Sequence, residues 1–549
     1  MDNKRQFILN LFASLISFAA NLGIGFLMTP FIVQQIGAEA YGFVGLANTM
    51  INYATLFTLA LNSVSGRFIT VAYHKGDKST ADKYFTSTLS SNLVIVAILT
   101  MIAVPLIWNL EHVVNISPHL INDVKILFSF IFINFLLSTL STVFTVATFI
   151  KNKLYLSSIA NIVAILAKVL ILIAMFGTLP PMVWYVGLGT CAMTAITFIA
   201  NWIYTKKLVP ELRFIRHGFS VSAIREMLAA GIWNCVIKLQ QILQDGLSLL
   251  VTNLLISPHF MGLLSIAQLV PTTMSGLMGT ISGLFSPEQT KFFARGQKEL
   301  LLQELKSGMR ICGFFVNIIF VVLLIIGEDF IRIWQPGQDT KMINILMQLT
   351  MLGFFLSGVA TTLQNVPLLV NKLRPYSLGW LACGAVSFAL IILGVHLFPS
   401  SGIYMVAAVP QIVGFVANLT FVPLYASRCL NLPLWSFYPI YLQYITSTIV
   451  SIVICFILHS MLMPKITSWI SLFIACTIYT LTTIFINIIF LLSSRERSLI
   501  TRKLITKIKN VISISIVNAP GSSDLKYVFT QHRERPTLDE RLRTTLCYQ

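Results

Sequence analysis

Long apolar runs dominate this chain and restrict it to one kind of fold. Stretches of about 18 or more apolar residues recur between Phe7 and Leu492. A helix needs roughly 20 residues to cross the hydrocarbon core of a bilayer. A backbone in lipid must satisfy its own hydrogen bonds, either as a helix or as a closed barrel. Because the runs are continuous rather than alternating, they predict helices, and we expect an all-α polytopic membrane protein.

The number of runs predicts about fourteen crossings. Only 11% of the 549 residues are charged, whereas a soluble globular domain carries about 25%, so most of the chain cannot be water-soluble. The predicted spans lie at about residues 6–35, 40–72, 84–109, 120–149, 154–176, 182–205, 222–256, 258–292, 304–334, 341–370, 374–397, 402–427, 436–461 and 466–492. Several runs are longer than a single crossing needs, and long helices that tilt in the bilayer would explain the excess length.

A polar pattern repeats along the chain at a constant offset of 220 residues. The first copy is Asn48, Asn52, Thr55 and Asn62, and the second is Gln268, Thr272, Ser275 and Ser282. Further positions are identical at this offset, namely Ile36 and Ile256, Gly42 and Gly262, Ala47 and Ala267, Thr70 and Thr290, Gly76 and Gly296, and Lys78 and Lys298. Duplicated apolar helices with one polar face are typical of transporters, whose sites lie between repeats. We therefore predict two homologous lobes around a polar cavity.

The repeat also predicts how the chain is divided. Residues 1–209 would form an N-lobe with spans 1 to 6, and residues 222–430 a C-lobe with spans 7 to 12. A cytoplasmic linker at 210–221 would join them, and the repeat is expected to be parallel rather than inverted because both lobes start and finish on the same side. Residues 431–492 would add a helix pair, and residues 493–549 a basic cytoplasmic tail that is disordered toward its end.

The net charge of +18 orients the protein rather than indicating a nucleic-acid partner. Basic residues cluster in alternate loops, at Lys4 and Arg5, Lys75 to Lys83, Lys151 and Lys153, Lys206 to Arg225, Lys291 to Arg310, Lys372 and Arg374, Arg428, and from Arg495 onward. The intervening loops hold only Lys125, Arg332, Lys341 and Lys465. This asymmetry predicts that both termini are cytoplasmic and that the surplus charge faces anionic membrane lipid.

Span 7 carries the sharpest polar pattern. Its residues Asn234, Lys238, Gln241, Asp245, Ser248 and Thr252 recur at spacings of four and three. Such spacing places them on one helical face, which is too polar for lipid and is expected to line a wet cavity. Span 1 has a weaker version in Asn10, Ser14, Ser17 and Asn21. The alternative for both faces is polar contact between helices.

Ionisable residues inside a span are expensive and therefore indicate function. Lys238 could bind phosphate as a point charge, and Asp245 could bind a proton or a sodium ion. A structural ion pair is the alternative for these two residues. Lys168 in span 5 is expected to face the cavity, unless it extends toward the outer headgroups.

Two further charges lie at the inner ends of their spans. Arg67 could grip a diphosphate with two hydrogen bonds, or could simply lie at the interface. Glu288 is a second candidate for ion coupling, although a salt bridge to the cluster of Lys291 and Arg295 is the favoured alternative. The sequence contains none of the nucleotide-binding and hydrolase motifs G-x-x-x-x-G-K-[ST], H-E-x-x-H and G-x-S-x-G. We therefore expect that the protein is not an enzyme. Its transport would be driven by an ion gradient, the membrane potential or the gradient of the substrate.

The segment at residues 36–50, IGAEAYGFVGLANTM, resembles the signature that follows the first helix of bacterial polysaccharide-export proteins. Together with fourteen spans and a six-plus-six repeat, the chain resembles lipid-linked oligosaccharide flippases of the multidrug/oligosaccharidyl-lipid/polysaccharide exporter superfamily. The resemblance implies that the substrate is an undecaprenyl-diphosphate-linked sugar repeat unit or a similar lipid-linked glycan. It also implies alternating access between the lobes, and polysaccharide polymerases and glycosyltransferases as partners.

The resemblance further implies a cationic cavity, which Arg67, Lys168 and Lys238 would supply. The polar lining would come from Asn21, Asn48, Asn52, Asn62, Asn234, Gln241 and Gln268. No cofactor is expected, except H⁺ or Na⁺ as a coupling ion at Asp245 or Glu288. A cation-coupled multidrug exporter of the same superfamily remains the alternative, and Asp245 is the residue that keeps it open. A membrane-embedded glycosyltransferase is disfavoured because the outward loops are short.

Overall fold

The computed structural model describes residues 3–215, 218–462, 466–494 and 496–498, and this part of the chain consists of helices and connecting loops. The predicted all-α polytopic membrane fold is confirmed. The described residues up to 486 form one compact unit, and those from 487 onward belong to a second. Most of the predicted basic tail, including Arg495, lies outside the described residues, as do Arg216 and Lys465.

The helices of the first half are α1 (Asn3–His74), α2 (Lys78–Trp108), α3 (Leu110–Val113), α4 (Ile121–Phe144), α5 (Val146–Ile150), α6 (Leu154–Thr178) and α7 (Trp184–Leu208).

Those of the second half are α8 (Val221–Gln241), α9 (Ser248–Leu255), α10 (Pro258–Ala267), α11 (Leu269–Gly283), α12 (Ser286–Ala294), α13 (Lys298–Trp334), α14 (Thr340–Ala360), α15 (Val366–Leu369), α16 (Leu373–Leu397), α17 (Gly402–Leu419), α18 (Phe421–Cys429), α19 (Tyr438–Leu462) and α20 (Trp469–Phe490). A π-helical turn, Ile242–Gly246, joins α8 to α9. Short 3₁₀ turns lie at Pro118–Leu120, Leu363–Asn365 and Pro399–Ser401.

Twelve helices of the described residues are long and apolar enough to cross a membrane. The first of them, Phe12–His74, is kinked at Gly37, whose φ of 81° and ψ of 164° are not helical, and this break separates the predicted spans 1 and 2. The predicted span 7, which corresponds to α8, the π-helical turn and α9, is not among the twelve. The count of fourteen crossings therefore remains a prediction.

The two halves of the chain break their helices at equivalent positions. Gly37 interrupts α1 with a positive φ, and 220 residues later Ser257 caps α10 by accepting a hydrogen bond from the Phe260 backbone N–H. Gly76 and Gly296, also an offset pair, both have positive φ and end their helices in the same hydrogen-bonded turn. The repeat seen in the sequence therefore corresponds to a repeat of local structure.

The two halves touch directly where α1 meets α10. A Cβ atom added to Gly42 would lie 2.7 Å from Cα of Gly262, and one added to Gly45 would lie 2.3 Å from Oγ of Ser265. Both contacts join positions that are 220 residues apart. Residues that meet their own equivalents lie near a two-fold axis, which is the geometry expected for a parallel repeat.

The segment between the two halves, the predicted linker at residues 210–221, is hydrogen-bonded to the first turns of α2. Backbone N–H groups of Arg213, Ile215 and Ser220 donate to the side chains of Asp82, Thr86 and Ser87 at 2.8, 3.1 and 3.0 Å. The carboxylate of Glu211 lies 2.7 Å from the ammonium of Lys78, whose hydrogen bond and charge lower the pKa of that carboxyl. The predicted linker is thus held by hydrogen bonds to the first half.

Helices α19 and α20 pack on α13. The ring of Tyr444 lies against Gly313 and 5.3 Å from the ring of Phe355. The hydroxyl of Tyr441 donates to the backbone carbonyl of Asn418 at 2.9 Å. Cys455 and Tyr479 belong to a buried apolar cluster with residues of α13. The predicted extra helix pair therefore adheres to the second half of the chain.

Substituting Gly42 by Ala should destabilise the protein, because the added Cβ would overlap the backbone of Gly262. Overpacking of this kind costs about 1–3 kcal/mol. The matched control is Gly25→Ala in the same helix, where a Cβ would meet no atom within 4 Å, and where the higher helix propensity of Ala should be neutral or favourable. Thermal unfolding in detergent measures both, and equal melting temperatures for the two variants would contradict the glycine contact.

Candidate functional site

A cavity of about 720 Å³ lies among α1, α8, the π-helical turn, α11, α14 and α17. Its polar lining residues are Thr49, Asn52, Lys238, Gln241, Gln244, Asp245, Gln268, Thr272, Ser275, Thr350, Ser357, Thr361, Gln364, Gln411 and Asn418. Amide and hydroxyl groups dominate this set. Among these described residues, Lys238 and Asp245 are the ones with ionisable side chains. The cavity is therefore polar, with one cation and one anion in its wall.

The π-helical turn positions Asp245. In a π-helical turn each backbone hydrogen bond joins residues that are five apart, and such turns often occur at functional sites. The hydroxyl of Ser248 donates to the backbone carbonyl of Asp245 at 2.8 Å, and the amide of Gln268 donates to Ser248 Oγ at 2.9 Å. From α1, the hydroxyl of Tyr53 donates to the carbonyl of Gly246 at 2.7 Å. Side chains from two other parts of the chain thus support the turn.

The carboxylate of Asp245 is held from α17. Gln411 donates its amide to Asp245 Oδ1 at 3.0 Å. The opposite side of this amide lies against Gly353 of α14, where an added Cβ would fall 2.1 Å from Gln411 Oε1. Glycine at position 353 therefore leaves the space that lets Gln411 reach the carboxylate.

Lys238 lies two helical turns before Asp245, and the two side chains form no ion pair in the described structure. Its ammonium group donates to Asn52 Oδ1 at 3.4 Å, and the side chain is half-buried. At 1.5 Å per residue, the two charges are about 10 Å apart along the axis. An anion of several ångströms could therefore lie beside Lys238 without touching Asp245.

No protein-family model matches the chain. A curated relative, the uncharacterized membrane protein EpsK of Bacillus subtilis (strain 168), is 28% identical over 434 residues, which cover 77% of this chain and 83% of EpsK. The inward closed conformation of the lipid II flippase MurJ is similar with a TM-score of 0.61 at 14% identity, covering 91% of this chain and 100% of MurJ.

The inward-facing conformation of a multidrug resistance MATE family transporter of the MOP superfamily has a TM-score of 0.55 at 14% identity, covering 77% of this chain and 98% of that one. The chain has the fold of MurJ and of the MATE transporters. At such identities the likeness concerns the fold, and the residues of the cavity must be considered by themselves.

Five of the predicted site residues lie together in the cavity wall, namely Asn52, Lys238, Gln241, Asp245 and Gln268. The remaining amides of the predicted stripes lie elsewhere. Asn234 donates to Ser63 Oγ at 3.0 Å, and Asn62 accepts a hydrogen bond from Asn92 at 3.0 Å. Asn48 is exposed and donates to the carbonyl of Val44 in its own helix.

The polar face of span 1 is used mainly for contact between helices. Asn10 donates to the carbonyl of Asn152 at 2.8 Å, and Asn161 of α6 donates to Ser17 Oγ at 2.8 Å. Asn21, the last member of this face, is exposed and is not a lining residue of the cavity. The alternative of polar contact between helices therefore describes most of this face.

The other predicted charges also lie away from the cavity. Lys168 is half-buried, and its side-chain stem packs on Gly189 of α7. Arg67 is exposed near the end of α1. Glu288 is exposed and forms a salt bridge with Lys291 at 3.1 Å, which was the favoured alternative for this residue. Of the three predicted cations, the structure brings only Lys238 to the cavity.

Polar groups of α14, of α17 and of the segment that follows α14 complete the wall, and they were not among the residues predicted from the sequence. Thr350, Ser357, Thr361 and Gln364 recur at spacings of seven, four and three, and Gln411 and Asn418 are seven apart. The spacing rule applied to span 7 would have found them. Among the described residues, no three His, Cys, Asp or Glu side chains come together as metal ligands.

Substituting Gly353 by Ala should push the Gln411 amide away from Asp245, since the new Cβ would take its place. The expected loss is about 1 kcal/mol, the value of one hydrogen bond. In a Gln411→Ala background the same change should cost nothing, because no side chain is left to displace.

Thermal unfolding of the two single variants and the double variant measures this dependence. The control is Gly279→Ala on the same cavity, where a Cβ would meet no atom within 4 Å. Additive effects of the Gly353 and Gln411 changes would contradict the contact.

Proposed function

We propose that the protein flips an undecaprenyl-diphosphate-linked oligosaccharide, or a similar lipid-linked glycan, across the cytoplasmic membrane by alternating access, for polysaccharide biosynthesis. The observation that carries the proposal is the polar cavity of about 720 Å³ with Lys238 in its wall, in a chain with the fold of the lipid II flippase MurJ. Its volume is within the range of about 300–1,000 Å³ typical of small-molecule sites.

The chemistry of the wall suits such a headgroup. The ammonium of Lys238 would bind a diphosphate oxygen, and the neighbouring amides of Asn52, Gln241 and Gln268 would exchange hydrogen bonds with sugar hydroxyls. A lipid-linked substrate can leave its hydrocarbon tail in the bilayer, so the cavity has to enclose only the polar part. The abundance of neutral hydrogen-bonding groups supports a glycan better than an apolar drug.

The direct contact at Gly42 and Gly262 supports alternating access. Parallel repeats of this kind exchange access by rocking one lobe against the other around a fixed site. The predicted orientation places Gly42 on the outer side, so the contact would close the outer end of the protein while the cavity is open to the cytoplasmic side.

Both termini would be cytoplasmic, and polysaccharide polymerases and glycosyltransferases would be the functional partners.

A cation-coupled multidrug exporter is the second candidate. Asp245 favours it, since this carboxylate lies in the cavity wall, where it could bind a cationic drug or a proton. MATE multidrug transporters share the fold. Lys238 opposes this candidate because an ammonium in the same wall repels a cationic drug. In the flippase, Asp245 would instead bind H⁺ or Na⁺ as the coupling ion.

Replacing Lys238 by Ala should lower the rate of flipping roughly tenfold or more, because a charge-assisted contact to diphosphate is lost. The measurement is the translocation of a fluorescent undecaprenyl-diphosphate oligosaccharide in vesicles that contain the purified protein. Lys341→Ala, which removes an exposed lysine from a predicted outer loop, is the control and should leave the rate unchanged.

Lys168→Ala should have a smaller effect than Lys238→Ala, since Lys168 does not line the cavity. Native flipping by Lys238→Ala, together with extrusion of cationic dyes by the unmodified protein, would refute the flippase in favour of the exporter.

Asp245→Asn should remove the response of transport to imposed ion gradients, because the amide can neither release a proton nor balance a sodium ion. The measurement compares flipping under proton and sodium gradients with flipping at equal ion concentrations on both sides. Glu288→Gln is the matched control, since Glu288 already pairs with Lys291 outside the cavity. A gradient response in Asp245→Asn equal to that of the unmodified protein would exclude Asp245 as the coupling residue.

A further inference from the structure

We propose that Tyr53 is a positioning residue that couples the π-helical turn carrying Asp245 to the first half of the protein, so that a change at Asp245 shifts the balance between lobe arrangements. The inference rests on the proposed function, because it assigns the coupling step of an alternating-access cycle. It concerns a side chain that does not itself line the cavity.

The contact that carries the proposal joins distant parts of the chain. The hydroxyl of Tyr53 donates to the carbonyl of Gly246 at 2.7 Å, across 193 residues. Gly246 directly follows Asp245 and ends the π-helical turn. Tyr53 therefore bonds to the carbonyl of the residue that follows Asp245, whose carboxylate is the only one among the described cavity residues.

Asp245 and Gly246 are held by opposite halves of the protein. The carboxylate of Asp245 accepts a hydrogen bond from Gln411 in α17, which belongs to the second half. The carbonyl of the next residue accepts one from Tyr53 in α1, which belongs to the first half. A movement of the π-helical turn that shifts the carboxylate relative to Gln411 would therefore also shift the carbonyl relative to Tyr53.

The remaining polar contacts between α1 and α8 are longer and lie farther from Asp245. Asn234 donates to Ser63 at 3.0 Å, Lys238 to Asn52 at 3.4 Å and the Cys235 thiol to the carbonyl of Leu56 at 3.5 Å. These bonds attach to the regular α-helix α8. The bond from Tyr53 attaches to a π turn, where the hydrogen-bonding pattern departs from that of the flanking helices.

The strength of one hydrogen bond sets the expected size of the effect. A net contribution of about 0.5–1.5 kcal/mol corresponds to a change of about 2- to 10-fold in the ratio of two conformations. This is enough to bias a two-state equilibrium but too small to lock it. Tyr53 would therefore transmit a change at Asp245 without preventing the lobes from moving.

The test is a double-mutant cycle read by distance rather than by transport. Pulsed electron spin resonance measures the distance between labels attached through unnatural amino acids at positions 75 and 295, an exposed offset pair at the ends of α1 and α12. The cycle compares the unmodified protein, Asp245→Asn, Tyr53→Phe and the double variant. Tyr41→Phe is the matched background, since it removes the same hydroxyl from a contact to Thr29 within α1.

Asp245→Asn should change the ratio of short to long distances by about 2- to 10-fold in the unmodified and Tyr41→Phe backgrounds. In the Tyr53→Phe background the same substitution should have little effect, because the connection is cut. Equal effects of Asp245→Asn in all three backgrounds would overturn the inference, and so would no effect of Asp245→Asn in the unmodified protein. Thermal unfolding confirms that each variant is folded.

Failure of the proposed function is distinguishable from failure of this inference. If the purified protein does not translocate undecaprenyl-diphosphate oligosaccharides in vesicles, the proposed substrate is wrong, whereas the distance measurements need no substrate and still test Tyr53. A purely structural role for Tyr53 would lower the melting temperature of Tyr53→Phe but would leave the effect of Asp245→Asn unchanged.

Discussion

The close contact of backbone against backbone at Gly42 and Gly262 is the constraint on which the arrangement of the two halves depends. Because neither residue has a side chain, α1 and α10 approach more closely there than other residue types would allow. The contact joins equivalent positions of the repeat and therefore lies near its axis. From this point α1 continues past Thr49 and Asn52, which form part of the cavity wall.

The second constraint is that polar groups inside a bilayer need partners. The protein meets it in two ways. Asn234 and Asn161 pair with hydroxyls of neighbouring helices, whereas Lys238, Asp245 and Gln241 face a cavity. The π-helical turn belongs to the second group, and its backbone carbonyls are satisfied by hydroxyls of Tyr53 and Ser248 rather than by regular helical bonds alone.

Much of the fold could be predicted because its causes are local. Apolar runs that contain enough residues to cross the bilayer as a helix predict membrane helices. Identical residues at a constant offset indicate that the structure is duplicated. The equivalent turns at Gly76 and Gly296 follow from this duplication. The site could be predicted only in part. Periodicity placed Asn234, Lys238 and Asp245 on one face, but Asn234 meets a helix while the other two meet the cavity.

The sequence alone established an all-helical membrane protein with an internal repeat. It could do so because the length of an apolar run and the periodicity of its residues are properties of a single helix. The tertiary structure decided which polar face lines the cavity and which contacts another helix. Lys168 and Lys238 are both cations within apolar spans, yet one packs against Gly189 and the other lines the cavity. That difference depends on which helices are neighbours. The position of Asp245 depends in the same way on residues distant in sequence, because Gln411 donates to its carboxylate and Gly353 leaves room for the Gln411 amide.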